Sequence, residues 1–344
     1  FDPFAYKTTD YGESWTFIGG GIPKSVFSYV HVIREDPVRP GLLYLGTENG
    51  LYVSFDDGRE WVPFQSNLPH APVYWLTIQE HFNDLVVATY GRGFWILDDV
   101  SPLQQLTPEA LAADVHLLSP RPAYRFRGKE GPEGQPEDPA AGRNPDYGAS
   151  IHYVLKEQPE GPVKLAILDD AGEVVRELGT VSGKAGLNRV FWDLTYEASE
   201  TPRMRTKVLE HSHVLIGDDG WRPAGETGRV RPLAPPGRYT LRLSVGEEEY
   251  TQPLTVLKDP NSTGTEADIR AQTEVILQLR DEADTVVGLI NEAEILRAQL
   301  PHLKERVRGM AGAEEIFRAA EDLDESLIDL EMGLTDLRLS GGTA

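Results

Sequence analysis

Two short segments of this sequence repeat one pattern of residues whose side chains can hold a tight turn. The pattern is Ser/Thr-x-Asp-x-Gly-x-x-Trp, and its two copies are Thr8, Asp10, Gly12 and Trp15, then Ser54, Asp56, Gly58 and Trp61. In such a turn the aspartate accepts backbone N–H groups, the glycine adopts a positive φ, and the tryptophan packs between neighbouring sheets. We predict that this pattern, the Asp-Gly-Trp turn, is structural and that neither aspartate contacts a ligand.

A few other residues in the first hundred positions have side chains suited to ligand binding. Glu48 follows a predicted strand at a loop that a ligand can reach, and Arg92, within Tyr90-Gly91-Arg92-Gly93, suits an anionic ligand. Tyr74 and Trp75 can stack on sugar rings or peptide side chains. Each also has a structural interpretation, since Gly-Arg-Gly is a common hairpin turn and aromatic residues mostly fill cores. We predict ligand contacts at Glu48, Trp75, Tyr90 and Arg92, and no catalytic residue.

The remaining motifs give no support for a metal, a nucleotide or a covalent intermediate. The sequence has no cysteine and therefore no disulfide, thiolate nucleophile or cysteine metal site. His211 and His213 have a spacing found in metal sites but lack a nearby third ligand. Asp98 and Asp99 occupy the position of a third, degenerate Asp-Gly-Trp turn, which favours a structural role. We predict no metal and no cofactor.

The charge balance narrows the possible partners. The chain has 33 basic and 55 acidic residues, a formal net charge of −22. Such a chain repels nucleic-acid phosphates and anionic membrane surfaces. No run of 18 uncharged apolar residues is present, so the sequence predicts no membrane span.

A repeat of about 42 residues organises the first third of the chain. Gly46-Thr47 through Asp56 aligns with Ala88-Thr89 through Asp98 at this offset. The period is that of one four-stranded propeller blade. The predicted strands are 29–34, 42–46, 51–55 and 61–64 in one blade, and 75–79, 85–89, 94–97 and 103–106 in the next. We predict that residues 1–118 form the last two to three blades of a β-propeller.

Three further regions follow. Residues 119–149 are rich in proline, glycine and charge, which predicts a linker. Residues 150–258 alternate apolar and polar side chains, which predicts an Ig-like β-sandwich with a long insertion at 195–235. Residues 259–344 have helical periodicity, which predicts an antiparallel hairpin of two helices, with a break at Pro301 and acidic residues facing water. The expected fold class is therefore mainly β with a C-terminal helical hairpin.

Several stretches together resemble a known family. They are Tyr6-Lys7-Thr8-Thr9-Asp10, Val30-His31-Val32-Ile33-Arg34-Glu35-Asp36-Pro37, and Val87-Ala88-Thr89-Tyr90-Gly91-Arg92-Gly93-Phe94-Trp95-Ile96-Leu97-Asp98-Asp99. In them the chain resembles the C-terminal portion of bacterial sortilin-like, BNR (Asp-box) repeat proteins, often called glycosyl hydrolases. The stretch 186–193 resembles the flagellar-hook-capping type of Ig-like domain. The resemblance implies an exported protein, secreted, periplasmic or at the cell surface, with large propellers before the sandwich.

The sequence departs from that family in its small number of blades and in ending near the helix around Leu339, where family members usually continue. We expect another polypeptide, such as the N-terminal part of the same protein, to complete the propeller ring. The expected function is non-catalytic binding of a peptide, protein or glycan, with the sandwich and helices as scaffold or docking parts. One alternative is a sialidase-like or xyloglucanase-like glycoside hydrolase whose catalytic carboxylates lie largely outside this chain. Another is a structural subunit of a larger assembly.

Overall fold

The computed structural model describes residues 2–126, 142, 144–211, 213–225 and 228–339. The chain divides into two compact units. Unit 1 comprises Phe1–Gly172, Leu178–Asp193 and Arg238–Thr255, and unit 2 comprises Glu173–Glu177, Leu194–Gly237 and Val256–Ala344. Most of the predicted linker (127–141 and 143) and the end of the predicted helical region (340–344) lie outside the described residues. Within the described ranges, no helix has the length and apolarity needed to cross a membrane.

Unit 1 begins with three successive groups of antiparallel strands. The first is the pair β1 (Tyr6–Lys7) and β2 (Thr16–Phe17). The second is a four-stranded sheet of β3 (Val30–Glu35), β4 (Leu43–Thr47), β5 (Gly50–Ser54) and β6 (Val62–Pro63), and the third is a three-stranded sheet of β7 (Val73–Gln79), β8 (Asp84–Thr89) and β9 (Phe94–Leu97). In each sheet the strands pair in sequence order, so short hairpin connections suffice.

The predicted strand at 103–106 is wrong. Residues Ser101–Gln105 form a short helix, α1, followed by α2 (Pro108–Ala112). The Asp99 carboxylate accepts hydrogen bonds from the Ser101 backbone N–H (3.1 Å) and hydroxyl (2.5 Å), and Pro102 lies in the first turn, where its missing N–H has no effect. The third group of strands therefore has three members, and β9 is its edge strand.

The two larger sheets pack face to face through a buried apolar layer. From the first sheet it includes Val32, Tyr44, Leu51 and Val53; from the second it includes Leu76, Leu85 and Val87. The opposite face of the first sheet packs towards the β1–β2 pair through Leu45, Ile33, Tyr52 and Trp61, together with Ala5, Ile18 and Ile22. Each face of the four-stranded sheet is thus covered.

Both Asp-Gly-Trp turns have the hydrogen bonds that the sequence predicts. Asp56 accepts the backbone N–H of Glu60 (3.0 Å) and the hydroxyl of Ser54 (2.9 Å), and Ser54 in turn accepts the N–H of Gly58 (2.9 Å). The same bonds link Thr8, Asp10, Gly12 and Ser14 in the first turn. Hydrogen bonds from Ser14 and Thr8 lower the pKa of Asp10 to about 2.

The two tryptophans of these turns differ in environment. Trp61 is 6% exposed and donates its indole N–H to the Ile18 carbonyl at 2.7 Å, so it packs against the preceding group of strands. Trp15, at the equivalent position, is 61% exposed. The packing predicted for this tryptophan is therefore present only at Trp61.

The rest of unit 1 consists mainly of two further sheets. The remaining strands of the described residues, in chain order, are β10 (Val115–Leu117), β11 (Ala123–Arg125), β12 (Ala149–Leu155), β13 (Val163–Leu168), β14 (Val174–Val181), β15 (Gly186–Trp192), β16 (Arg203–Met204), β17 (Arg222–Pro223), β18 (Gly237–Val245) and β19 (Glu248–Lys258). Of these, β16 and β17 pair only with each other, in unit 2. The sheet orders are β10-β12-β15 and β11-β19-β18-β13-β14. Trp192 of one sheet contacts Tyr239 of the other, ring edge to ring face, at 5.2 Å between centroids.

Unit 2 contains the two predicted C-terminal helices, α3 (Glu266–Val307) and α4 (Ala313–Met332), and the predicted insertion. Thr265 and Asp268 form a capping box at the start of α3. The predicted break at Pro301 is wrong, because α3 continues through it. Proline removes one helical hydrogen bond, and ion pairs to α4 lie on both sides of it, Arg297–Asp324 and Lys304–Glu321 (3.0 Å each).

The expectation that the helical acids face water is wrong for two of them. Glu294 and Glu331 are fully buried on either side of Arg297, whose Nη1 lies 3.0 Å and 2.5 Å from their carboxylates. Glu294 also accepts the backbone N–H of Thr206 (2.7 Å) and its hydroxyl (2.6 Å), so it joins the predicted insertion to α3. Burial, with the charge of Glu294 nearby, raises the pKa of Glu331 to about 7.

A matched pair of glycine substitutions tests the packing of the second turn. Gly58 and Gly12 both have positive φ (83° and 97°), but an added Cβ lies 2.9 Å from Ile18 Cβ only at Gly58. We expect Gly12→Ala to lower the unfolding free energy by about 1 kcal/mol through backbone strain. Gly58→Ala adds a clash and should cost about 3 kcal/mol. Urea unfolding measures both, and equal losses would contradict the packing.

The buried Glu331 gives a second prediction. Its folded-state pKa lies above the ordinary value, so the folded state keeps a proton that the unfolded state releases. The proton on Glu331 therefore adds to the free energy of unfolding, fully below about pH 4.5. This contribution, up to about 3 kcal/mol, is lost as the pH rises towards 7. Glu331→Gln should flatten this pH dependence, and the exposed control Glu321→Gln should leave it unchanged. Urea unfolding followed by helical circular dichroism measures this, because unit 2 contains the long helices.

Candidate ligand-binding site

Equivalent positions of the two larger sheets meet at one end of unit 1. Val30 pairs with Thr47 in the first sheet, and Val73 pairs with Thr89 in the second. Just beyond these pairs, Glu48 donates its backbone N–H to the Tyr29 carbonyl (3.3 Å), and Tyr90 donates to the Pro72 carbonyl (2.9 Å). Glu48 and Tyr90 therefore occupy matching places, one in each repeat.

Each first strand has a bulge at this end. Val30 and Val32 pair with two consecutive residues of β4, Thr47 and Gly46, so His31 between them is the extra residue of the bulge. The pairing in the second sheet likewise steps from Val73 to Trp75, which leaves Tyr74 as the extra residue. A bulge redirects its side chain out of the regular alternation, and bulges are frequent beside binding and catalytic sites. The His31 and Tyr74 rings meet at 4.2 Å between centroids.

These residues form one connected group, which we call the Tyr-His-Glu cluster: Tyr29, His31, Glu48, Tyr74 and Tyr90. His31 Nε2 lies 2.7 Å from Glu48 Oε2. The Tyr29 and His31 rings are 4.9 Å apart, and the Tyr74 and Tyr90 rings 5.6 Å. Tyr29, His31 and Glu48 are half-buried, whereas Tyr74 and Tyr90 are exposed. The cluster therefore has a polar interior and an aromatic outer surface.

The hydrogen bonds inside the cluster favour a charged carboxylate. The bond with His31 lowers the pKa of Glu48, and one from Tyr29 acts in the same direction against the opposing effect of desolvation. The same carboxylate raises the pKa of Tyr29. Glu48 is thus ionised at neutral pH, and Tyr29 keeps its proton. The arrangement can accept hydrogen bonds from a ligand and offer two exposed rings for stacking.

Two of the four predicted ligand residues lie in this cluster, Glu48 and Tyr90. The other two make their contacts elsewhere. Trp75 is exposed beneath the guanidinium of Arg34, which lies 4.3 Å from its ring centroid. Arg92 is exposed and donates to the Gly91 carbonyl at 3.2 Å, within a hairpin turn.

Sequence reasoning missed Tyr29 and His31. Both lie in a segment whose alternating pattern predicts only a strand, and the bulge that brings His31 to Tyr74 is a property of the pairing. One signal was available. His31 and Tyr74 are 43 positions apart, as are Tyr29 and Pro72, close to the repeat length of 42.

Asp98 and Asp99 lie at a separate polar cavity of about 260 Å³ in unit 1, which Arg121, Asp146 and Arg189 also line. Asp99 is buried and caps the Ser101 turn, in keeping with a structural role. Its second oxygen lies 3.6 Å from Arg121 Nε. Burial, followed by the charge of Asp84, raises the pKa of Asp98.

In the portion of the chain that the structure describes, no three His, Asp or Glu side chains form a group able to hold a metal ion. No family model matches the chain, and no curated protein matches it. The candidate site therefore rests on its own geometry.

The His31–Glu48 contact gives a third prediction. His31→Phe removes the hydrogen bond that holds the pKa of Glu48 down, so that pKa should rise relative to the native chain. Carbon-13 NMR titration of the glutamate side-chain carboxyls measures the shift. His70→Phe is the matched control, because His70 contacts the neighbouring Asn49 carbonyl and not Glu48. An unchanged Glu48 titration in His31→Phe would refute the contact.

Proposed function

We propose that this chain is a non-catalytic ligand-binding protein of the β-propeller type. The observation that carries the proposal is the Tyr-His-Glu cluster, in which an ionised Glu48 lies beside the exposed rings of Tyr74 and Tyr90. A carboxylate that accepts hydrogen bonds, next to aromatic rings, suits a sugar ring or a peptide side chain. The ligand class is therefore a glycan, a peptide or a protein segment.

The ionised state of Glu48 excludes it as the general acid of a glycosidase and suits a carboxylate that binds a ligand. A glycosidase needs a carboxylic acid that is still protonated at working pH, and this requires a raised pKa. The hydrogen bond with His31 lowers the pKa of Glu48 instead. Tyr29 satisfies the same carboxylate, as expected for a fixed acceptor.

The propeller proposal is supported by the Asp-Gly-Trp turns and by two successive antiparallel sheets packed face to face. Location outside the cytoplasm, whether secreted, periplasmic or at the cell surface, is supported by the resemblance of residues 6–10, 30–37 and 87–99 to exported Asp-box proteins. The Ig-like sandwich and the helices serve as scaffold or docking parts in this proposal.

One observation favours the glycoside hydrolase alternative. Asp98, at the polar cavity, has the raised pKa that a general acid needs. Arg121 and Arg189 line the same cavity and act on Asp98 in the opposite direction. The alternative therefore predicts hydrolysis that depends on Asp98 and not on the Tyr-His-Glu cluster.

A binding screen tests the proposed function. The full chain is applied to a glycan array and to an immobilised peptide library, and the best ligands are measured by calorimetry. We expect Tyr90→Ser and Glu48→Gln each to weaken binding about tenfold or more, as for contacts that carry the affinity. Tyr11→Ser is the matched control, because Tyr11 is fully exposed and lies in the first Asp-Gly-Trp turn.

Two results would refute the proposal. Equal losses in Tyr11→Ser and Tyr90→Ser would show that the cluster is not the site. Breakdown of a bound glycan, abolished by Asp98→Asn, would support the hydrolase instead.

A further inference from the structure

We propose that the outer face of the β7-β8-β9 sheet is a docking surface for a further antiparallel sheet of the same repeat, supplied by polypeptide outside these 344 residues. This outer face consists of two rows of cross-strand neighbours, Trp75–Ala88–Phe94 and Thr77–Val86–Ile96. It is separate from the Tyr-His-Glu cluster, and its test uses no ligand.

The strand registers show that the outer face has a counterpart in the first sheet. Gly46 and Ala88 are equivalent in the 42-residue repeat. Gly46 lies between Val32 and Leu51, just as Ala88 lies between Trp75 and Phe94. Two residues further along each sheet, the row Arg34–Tyr44–Val53 corresponds to Thr77–Val86–Ile96. The bulge precedes the first row in both sheets.

The counterpart is buried, and the outer face is not. Leu51 and Val53 are 3% and 2% exposed because the second sheet covers them. Phe94 and Ile96, at the same places in the second sheet, are 80% and 60% exposed. Large apolar side chains grouped on one face at such exposure mark an interaction surface. By continuity with the existing interface, the group that covers them is another sheet.

The outer face also differs from its counterpart in a way that specifies its occupant. A Cβ at Gly46 would lie 2.6 Å from the Val73 carbonyl oxygen, so only glycine allows β7 to approach so closely. Ala88 has that Cβ, so a docked sheet must lie farther from β8 than β7 lies from β4. Phe94 is larger than Leu51, its equivalent, and fills the wider gap, whereas the Trp75 ring also contacts Arg34 of the first sheet.

The side chains expected on the docked sheet follow from those of the second sheet, which covers the equivalent face of the first sheet. Leu76, Leu85 and Val87 present aliphatic rows to the first sheet. The occupant should likewise present alternating leucine and valine side chains, on a sheet in which an Asp-Gly-Trp turn connects two strands as it connects β5 to β6. A second copy of this chain packed head to tail would offer, among the described residues, only the short pair β1 and β2, with two residues each.

Site-specific crosslinking tests the proposal. A photo-crosslinking phenylalanine analogue replaces Ile96 in the protein inside the cells that produce it, and crosslinked peptides are sequenced by mass spectrometry. The expected product is a peptide from outside residues 1–344 that has alternating apolar residues and lies within one strand of an Asp-Gly-Trp turn. Phe94→Asp should reduce its yield about tenfold, as for the loss of a central apolar contact.

Two controls accompany the experiment. Val38 is 61% exposed in a loop of the first sheet, so Val38→Asp adds the same charge away from the face and should leave the yield unchanged. The analogue at Glu80, in the β7–β8 connection, sets the background level. Crosslinks to a second copy of this chain, crosslinks to peptides without the repeat, or a yield at background would each overturn the proposal. Circular dichroism of Phe94→Asp confirms that the variant is folded.

Discussion

The packed layer between the four-stranded and three-stranded sheets is the contact on which the candidate site depends. Tyr44, Leu85 and Leu76 are completely buried in it, so close packing of these side chains fixes the separation of the two sheets there. Gly46 sets how close β7 can come. With that separation fixed, the bulged residues of the two first strands face each other. The Tyr-His-Glu cluster is thus a consequence of how two repeats pack, and neither repeat contains it alone.

The sequence predicted the features of this region that depend on local patterns. Alternation gave most strands, and the Asp-Gly-Trp pattern gave the turns around Asp10 and Asp56 with the correct hydrogen bonds. It did not predict the bulge at His31, because a bulge depends on the register between distant segments. The strand predicted at 103–106 is wrong because its two leucines, three positions apart, follow a helical and not an alternating period, and these residues form α1 and its C-cap.

In unit 2, the burial of charged side chains likewise could not be predicted from a local pattern. Glu294 and Glu331 lie in helices rich in acids, and helical periodicity alone places such residues in water. Their burial depends on contacts with Thr206, 88 positions before Glu294, and with Arg297, 34 positions before Glu331. A buried carboxylate held by an arginine on one side and by backbone N–H groups on the other fixes where the loop lies on the helix. Such a contact gives specificity of arrangement more than net stability.

The edge position of β9 also bears on how the chain behaves when it is alone. Its four residues, Phe94-Trp95-Ile96-Leu97, are uncharged, aromatic or branched, and contain neither proline nor glycine. A strand of this composition with a free edge can template the addition of like strands from other molecules, which is the first step towards a cross-β fibril. Charges flank it closely, Arg92 on one side and Asp98 and Asp99 on the other. Charges in these positions repel their own copies in a stack of identical strands, so they slow fibril growth from this strand.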